Sequence, residues 1–193
     1  AVLGGTFNPV HIGHLFLAAE VRHLLGYDRI LFVPSNIPAH KQLEGEVPTR
    51  QRVELLNLAI ADENAFSLDT CEVERGGISY TIDTIYYIEE SYRPKGRVGV
   101  IIGDDLLSGF DKWKRYKELT EAADIVVARR NREQGQSAEE DTVDFPYIPV
   151  DNAVLPISSS DIRSRIANGA PYKYLLPLSV YHYIEENGLY RGE

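Results

Sequence analysis

The stretch Ala1-Val2-Leu3-Gly4-Gly5-Thr6-Phe7-Asn8-Pro9-Val10-His11-Ile12-Gly13-His14 decides how this chain is read. A short apolar run ends in two glycines, and an amphipathic run begins a few residues later. Leu17, Val21, Leu24 and Leu25 fall on one helical stripe, and Gly26 stops it. Glycines at a strand end let the backbone approach a ligand closely, and the free N–H groups of a following helix can hold an anion. His11 and His14 stand three apart, so their rings share a face and both can donate to phosphate oxygens. The stretch is neither the dinucleotide fingerprint G-x-G-x-x-G nor a P-loop, which needs Gly-Lys-Ser/Thr. Taken singly, Gly-Gly is an ordinary turn, and two histidines at this spacing also suit zinc. No cysteine or further histidine offers an obvious partner, and the combination favours a phosphate site.

Working outward, short β-like runs alternate with helical ones. Ile30–Val33 is continuously apolar and closed by Pro34, as a strand buried on both faces should be. Pro48–Asp62 and Tyr80–Tyr92 read as helices, and a short helix closes at Ala122. Phe66–Val73, Val98–Ile102, Ile125–Ala128 and Tyr147–Val150 read as strands. The polar, acidic stretch 131–144 reads as a solvated loop, and Ser159–Asn168 and Leu178–Asn187 as the last helices. This order predicts an α/β fold: a parallel sheet with helices on both faces and a small C-terminal helical part. With no repeat or linker, residues 1–193 are expected to form a single domain, with the segment from about 157 to 193 packed on it. Ligands of such sheets sit beyond the C-terminal strand ends, here near Gly4, Pro34, Gly103, Arg129 and Ile157.

Composition bounds the partners. The 193 residues carry a formal charge of −9, with 20 Lys plus Arg against 29 Asp plus Glu. That balance argues against a broad nucleic-acid or anionic-membrane surface. The cations nevertheless cluster: Lys41, Arg50 and Arg52 after the second strand, Lys112, Lys114 and Arg115 around Trp113, and Arg163 and Arg165 after a serine run. Glu139-Glu140-Asp141 and Glu185-Glu186 hold part of the acidic excess elsewhere. No apolar run approaches the ~20 residues of a membrane span. The opening does not read as a signal peptide. The single cysteine, Cys71, excludes an internal disulfide or a cysteine-built zinc site, and reads as a small buried residue. A cytoplasmic location is the expectation. The absence of methionine and the brevity of the first strand lead us to expect residues ahead of Ala1.

The segment Gly5-Thr6-Phe7-Asn8-Pro9-Val10-His11-Ile12-Gly13-His14 resembles the first signature of the nucleotidyltransferase superfamily, whose Rossmann-like core is shared with class I aminoacyl-tRNA synthetases. Ile157-Ser158-Ser159-Ser160-Asp161-Ile162-Arg163 resembles the second, with Ser160 in place of a threonine. By itself the serine run is also a helix N-cap. Further pieces resemble one family, bacterial nicotinate mononucleotide adenylyltransferase. They are Pro38-Ala39-His40-Lys41, the helix Arg50–Ala59, Ser79–Thr84, Ile101–Leu106 with Trp113, and Lys173–Pro177 with Tyr183–Tyr190. The resemblance spans nearly the whole chain. Asn8 departs from the family's usual Asp, and Arg130-Asn131 from its Pro-Gly.

The resemblance implies adenylyl transfer from ATP to nicotinate mononucleotide, giving nicotinate adenine dinucleotide and pyrophosphate. His11 and His14 would act at the α-phosphate, and Arg163 on the leaving pyrophosphate. Gly4, Gly5, Thr6, Phe7, Gly103, Asp105 and the Ile157–Ser160 turn (Ile157, Ser158, Ser159, Ser160) would bind ATP, with Arg129 near the adenine. Thr6, Asn8, Lys41, Thr81 and Trp113 would bind the mononucleotide. Mg²⁺ would be carried by the ATP phosphates, with no protein-built metal site. Two alternatives stay open: another adenylyl- or cytidylyltransferase, such as the phosphopantetheine enzyme, and a nucleotide-binding module without catalysis.

Overall fold

The structure is a computed structural model, and it describes residues 1–38, 47–130 and 143–191. Strands β1 (Val2–Gly5), β2 (Ile30–Pro34), β4 (Phe66–Leu68), β6 (Gly99–Gly103), β7 (Asp124–Ala128) and β8 (Ile148–Val150) form one sheet in the order β4-β2-β1-β6-β7-β8. Every pairing is parallel. Two-residue strands β3 (Ile37–Pro38) and β5 (Ile78–Ser79) pair separately. The chain builds outward from β1 on one side, then returns to β6 and builds outward on the other. The order therefore reverses between β1 and β6, which is where Rossmann-type sheets open a crevice.

Period-two alternation gives the sheet two buried faces. Leu3, Phe32, Ile101 and Val126 point to one core with Ala18, Leu55, Ile162 and Ile184. These come from helices α1 (Ile12–Leu25), α2 (Thr49–Ile60), α6 (Ser159–Ala167) and α7 (Leu178–Asn187). Val2, Leu31, Ile102 and Val127 point to the other with Ile82, Ile85, Phe110 and Leu119. That face is covered by α4 (Thr81–Tyr92), α5 (Tyr116–Ala122) and a 3-10 helix, Asp104–Lys112. The C-terminal helices thus share a core with the sheet.

The strand read over 66–73 stops at Leu68, and Cys71–Arg75 is a short helix, α3. Asp69 causes the change: its Oδ1 accepts from the Cys71 N–H at 2.8 Å, a turn that competes with the extended chain. Tyr92 donates to the other oxygen at 2.6 Å, and Cys71 is buried. The loop predicted over 131–144 falls mostly outside the described residues. Among the described residues no helix is long and apolar enough to cross a membrane.

Ile184 joins α7 to the sheet core and is fully buried. Ile184→Ala is expected to lower unfolding free energy by about 2–5 kcal/mol while leaving one cooperative urea transition, seen alike by far-UV circular dichroism and tyrosine fluorescence. Two separated transitions would mean that the C-terminal helices form a unit of their own.

Candidate active site

The ends of β1 and β2 are stitched together where the first motif begins. Gly5 pairs with Pro34, and the Ser35 N–H donates to the Gly5 carbonyl at 2.9 Å. Gly4 has open space around it, whereas a Cβ on Gly5 would meet the Phe7 ring at 3.2 Å. Phe7 is buried, has φ of 47°, and sets its ring edge-on to His14 with centroids 5.1 Å apart.

His11 caps α1 and His14 is its third residue. Their rings lie 3.7 Å apart. The His11 N–H donates to His14 Nδ1 at 3.2 Å, so neutral His14 carries its proton on Nε2 and is a donor there. Burial, the neighbouring His11 and then Arg130 hold its pKa well below the usual histidine range. Burial and then Arg130 lower His11 to about 4. Both are therefore neutral at pH 7. Gly13 leaves room for the His11 ring: a Cβ there would sit 3.0 Å from His11 Nδ1.

The second motif reaches the first directly. Ser159 Oγ donates to the Pro9 carbonyl at 2.8 Å, and Arg163 donates to the Asn8 carbonyl at 2.8 Å. Ser158 caps α6, its oxygen accepting from the Asp161 N–H at 3.1 Å. Ser160 is exposed, and Ile157 lies beside Gly13. Asn8 is buried, and the Tyr190 hydroxyl donates to its Oδ1 at 2.9 Å. Burial raises the Tyr190 phenol, partly opposed by Arg163 and Arg52, which keeps it a donor.

Gly103 ends β6 across the crevice. A Cβ on it would run into Asp105 Oδ1 and the Arg130 side chain. Arg130 pairs with Asp105 at 3.3 Å, and its charge reaches both histidines. Arg129, the sequence candidate, instead pairs with Asp151, and its N–H donates to buried Asn152 at 2.8 Å. Sequence reading missed Arg130, whose only signal was its departure from Pro-Gly.

Thr81 opens α4 and Trp113 ends the 3-10 helix, stacked on Phe110 at 4.8 Å. The structure brings the two segments together, because Lys114 lies 4.2 Å over the Tyr80 ring. Lys41 lies outside the described residues. Several cations grouped by sequence are committed elsewhere: Arg115 pairs with Glu118 and Asp83, Arg165 with Asp161, and Arg52 is buried on carbonyl oxygens. A groove of about 380 Å³ is lined by residues including Tyr116, Thr120 and Phe145, and Phe145 packs on Phe110.

Two glycine-ended strands, a pair of neutral imidazoles and a serine-capped helix around one crevice define a nucleotide-binding class, and the cytidylyltransferase-like family model matches residues 2–165. A Borreliella afzelii protein named "probable nicotinate-nucleotide adenylyltransferase" is 45% identical over 98% of this chain and 95% of its own length. A Treponema pallidum protein of the same name is 37% identical over 100% and 98%. The chain belongs to the nicotinate-nucleotide adenylyltransferase family. The fold matches that of Plasmodium falciparum nicotinic acid mononucleotide adenylyltransferase, at 20% identity with TM-score 0.74 over 98% of this chain and 95% of that one; that protein was solved with NaAD bound.

The His11 shift has a consequence for stability. The unfolded imidazole titrates near 6.5 and the folded one near 4, so between those values the unfolded chain binds the extra proton and stability falls as pH drops. At pH 5 the loss is about 2 kcal/mol relative to pH 7. His11→Asn should shrink the pH 7 to pH 5 stability difference by about that amount in urea unfolding; an unchanged difference would refute the assignment.

Proposed function

We propose that the chain transfers the adenylyl group of ATP to nicotinate mononucleotide, releasing pyrophosphate and forming nicotinate adenine dinucleotide, a step of NAD biosynthesis. One observation carries the site reading: the second motif holds the first across 150 residues of chain, through Ser159 on Pro9, at the crevice between β1 and β6.

The nucleophile is a phosphate oxygen of the mononucleotide. The second pKa of a phosphate monoester is about 6, so it is largely dianionic at pH 7 and needs no general base. The demand is to align anions and stabilise charge on the α-phosphate and leaving group. His14 donates from Nε2 to the α-phosphate as a neutral group, preset by the His11 N–H, and His11 stands beside it. Arg163, Ser160 and the N-terminal N–H groups of α6 receive the pyrophosphate. Ser158 and Ser159 shape that turn through the bonds they already make.

Gly4, Gly5, Thr6 and Phe7 give the close backbone approach to ATP, Ile157 borders it, and Gly103 and Asp105 lie at its ribose, with Arg130 rather than Arg129 the nearer cation. Thr6, Thr81 and Trp113 take the mononucleotide. Asn8 acts from beneath, and Lys41 from the segment after β3. Among the described residues no three His, Cys, Asp or Glu groups converge as a metal site; Mg²⁺ would come with ATP and supply charge neutralisation at its phosphates. The chain works as one domain on small molecules in the cytoplasm.

Pyrophosphate release with ATP, Mg²⁺ and nicotinate or nicotinamide mononucleotide tests the reaction; no turnover with either would sink it. The ratio of kcat/KM for the two measures acid-over-amide selectivity. His14→Ala should lower kcat by about 10²-fold or more with little change in KM, as loss of a transition-state donor does. An unchanged kcat would remove His14 from the chemistry.

A further inference from the structure

Arg52 lies in the interior of α2 and is fully buried, and among the described residues no carboxylate pairs with it. Burying an unpaired charge is costly unless it is well hydrogen-bonded. Its partners are three backbone oxygens that follow two strand ends and one threonine hydroxyl. Nη1 donates to the Thr6 carbonyl at 2.6 Å. Nη2 donates to the Ser35 carbonyl at 2.8 Å, the Asn36 carbonyl at 3.3 Å and Thr49 Oγ1 at 3.0 Å. Thr6 follows β1, and Ser35 follows β2. A single rigid fork therefore sets the two loops against each other.

A peptide group is planar and trans, so fixing a carbonyl aims the next N–H the opposite way. The Ser35–Asn36 peptide displays this: its carbonyl faces Arg52, and its N–H donates to Ser79 Oγ at 3.0 Å. In the Thr6–Phe7 peptide the carbonyl again faces Arg52, but the Phe7 N–H has no acceptor among the described residues. Phe7 also holds φ at 47°, a left-handed conformation that a bulky residue keeps only where its surroundings over-determine it. Arg52 grips the carbonyl before Phe7, and Arg163 grips the carbonyl of Asn8 after it.

We propose that Arg52 is a positioning residue: it turns the Thr6–Phe7 peptide so that the Phe7 N–H stands as a preset donor for a phosphate oxygen of the bound nucleotide. This role rests on the adenylyl-transfer reading. It differs from core packing, which would change stability and leave the turnover of the folded enzyme alone. Lysine at this place keeps the charge and loses the planar fork.

The test follows the Phe7 amide by ¹⁵N–¹H spectroscopy while the wild-type protein is titrated with α,β-methylene-ATP and, separately, nicotinate mononucleotide. A downfield move on saturation with one of them is the expected result; an amide unmoved by both overturns the proposal, and this arm needs no variant. In Arg52→Lys the same amide should stay put, and kcat should fall by about 10²-fold with each KM within about threefold, as a misplaced contact predicts. Thr49→Val, which removes a partner outside the loops, should keep kcat within about threefold of wild type. A near-wild-type kcat in Arg52→Lys, or a loss no larger than the unfolded fraction read by thermal melting, overturns the role. Wild-type turnover with an unmoved Phe7 amide counts against Arg52 alone, whereas no wild-type turnover with either pyridine mononucleotide counts against adenylyl transfer itself.

Discussion

All six strands of the main sheet run in one direction, so every strand delivers its C-terminal residue to the same edge. With the order reversing between β1 and β6, the loops leaving those neighbours diverge to opposite faces and leave a gap. Everything proposed for the site depends on that parting. Gly5 and Gly103 stand on its two sides because their strands are paired, at Val2 with Val100 and Leu3 with Ile101. The histidine pair enters because α1 starts directly after the first loop, and the serine turn because α6 packs Ile162 and Ile166 into the same core as Leu3 and Phe32.

The electrostatics of the crevice are not those of a cation cluster. The chain is acidic overall, and most arginines grouped by sequence are tied to carboxylates or carbonyls. Beside Arg163 and Arg130, the donors proposed for the crevice are neutral groups whose direction is fixed beforehand: imidazoles held neutral by burial and by Arg130, and helix-terminal N–H groups. Oriented dipoles in a partly dry crevice stabilise developing charge without reorganising during the reaction. An acidic protein can therefore bring two anions together without a broad positive surface.

Much of this was legible in the sequence. Helix α1 is found over the span the apolar stripe predicts, because stripe, start and Gly26 stop agree. The paired signatures marked the two segments proposed as the site's halves, but not how they meet, since Ser159 and Pro9 are 150 residues apart and no local pattern encodes a long-range bond. Arg52 was grouped with phosphate-facing cations; its commitment to carbonyls depends on α2 docking beneath both strand ends. The end of β4 was misread because an aspartate's preference for bonding its own backbone is weighed against strand formation only once the fold is built. Arg129 was named and Arg130 passed over, as one residue of register decides which side chain turns over Gly103.

The bond from Tyr190 to Asn8 joins positions 182 residues apart. Contacts of such separation carry the loop-closure entropy of all the chain between them. The loop that carries Asn8 therefore takes one of its constraints from residues far downstream of both motifs. A cut just after α7 would thus reach the first loop while leaving both motifs and every strand of the sheet in the chain.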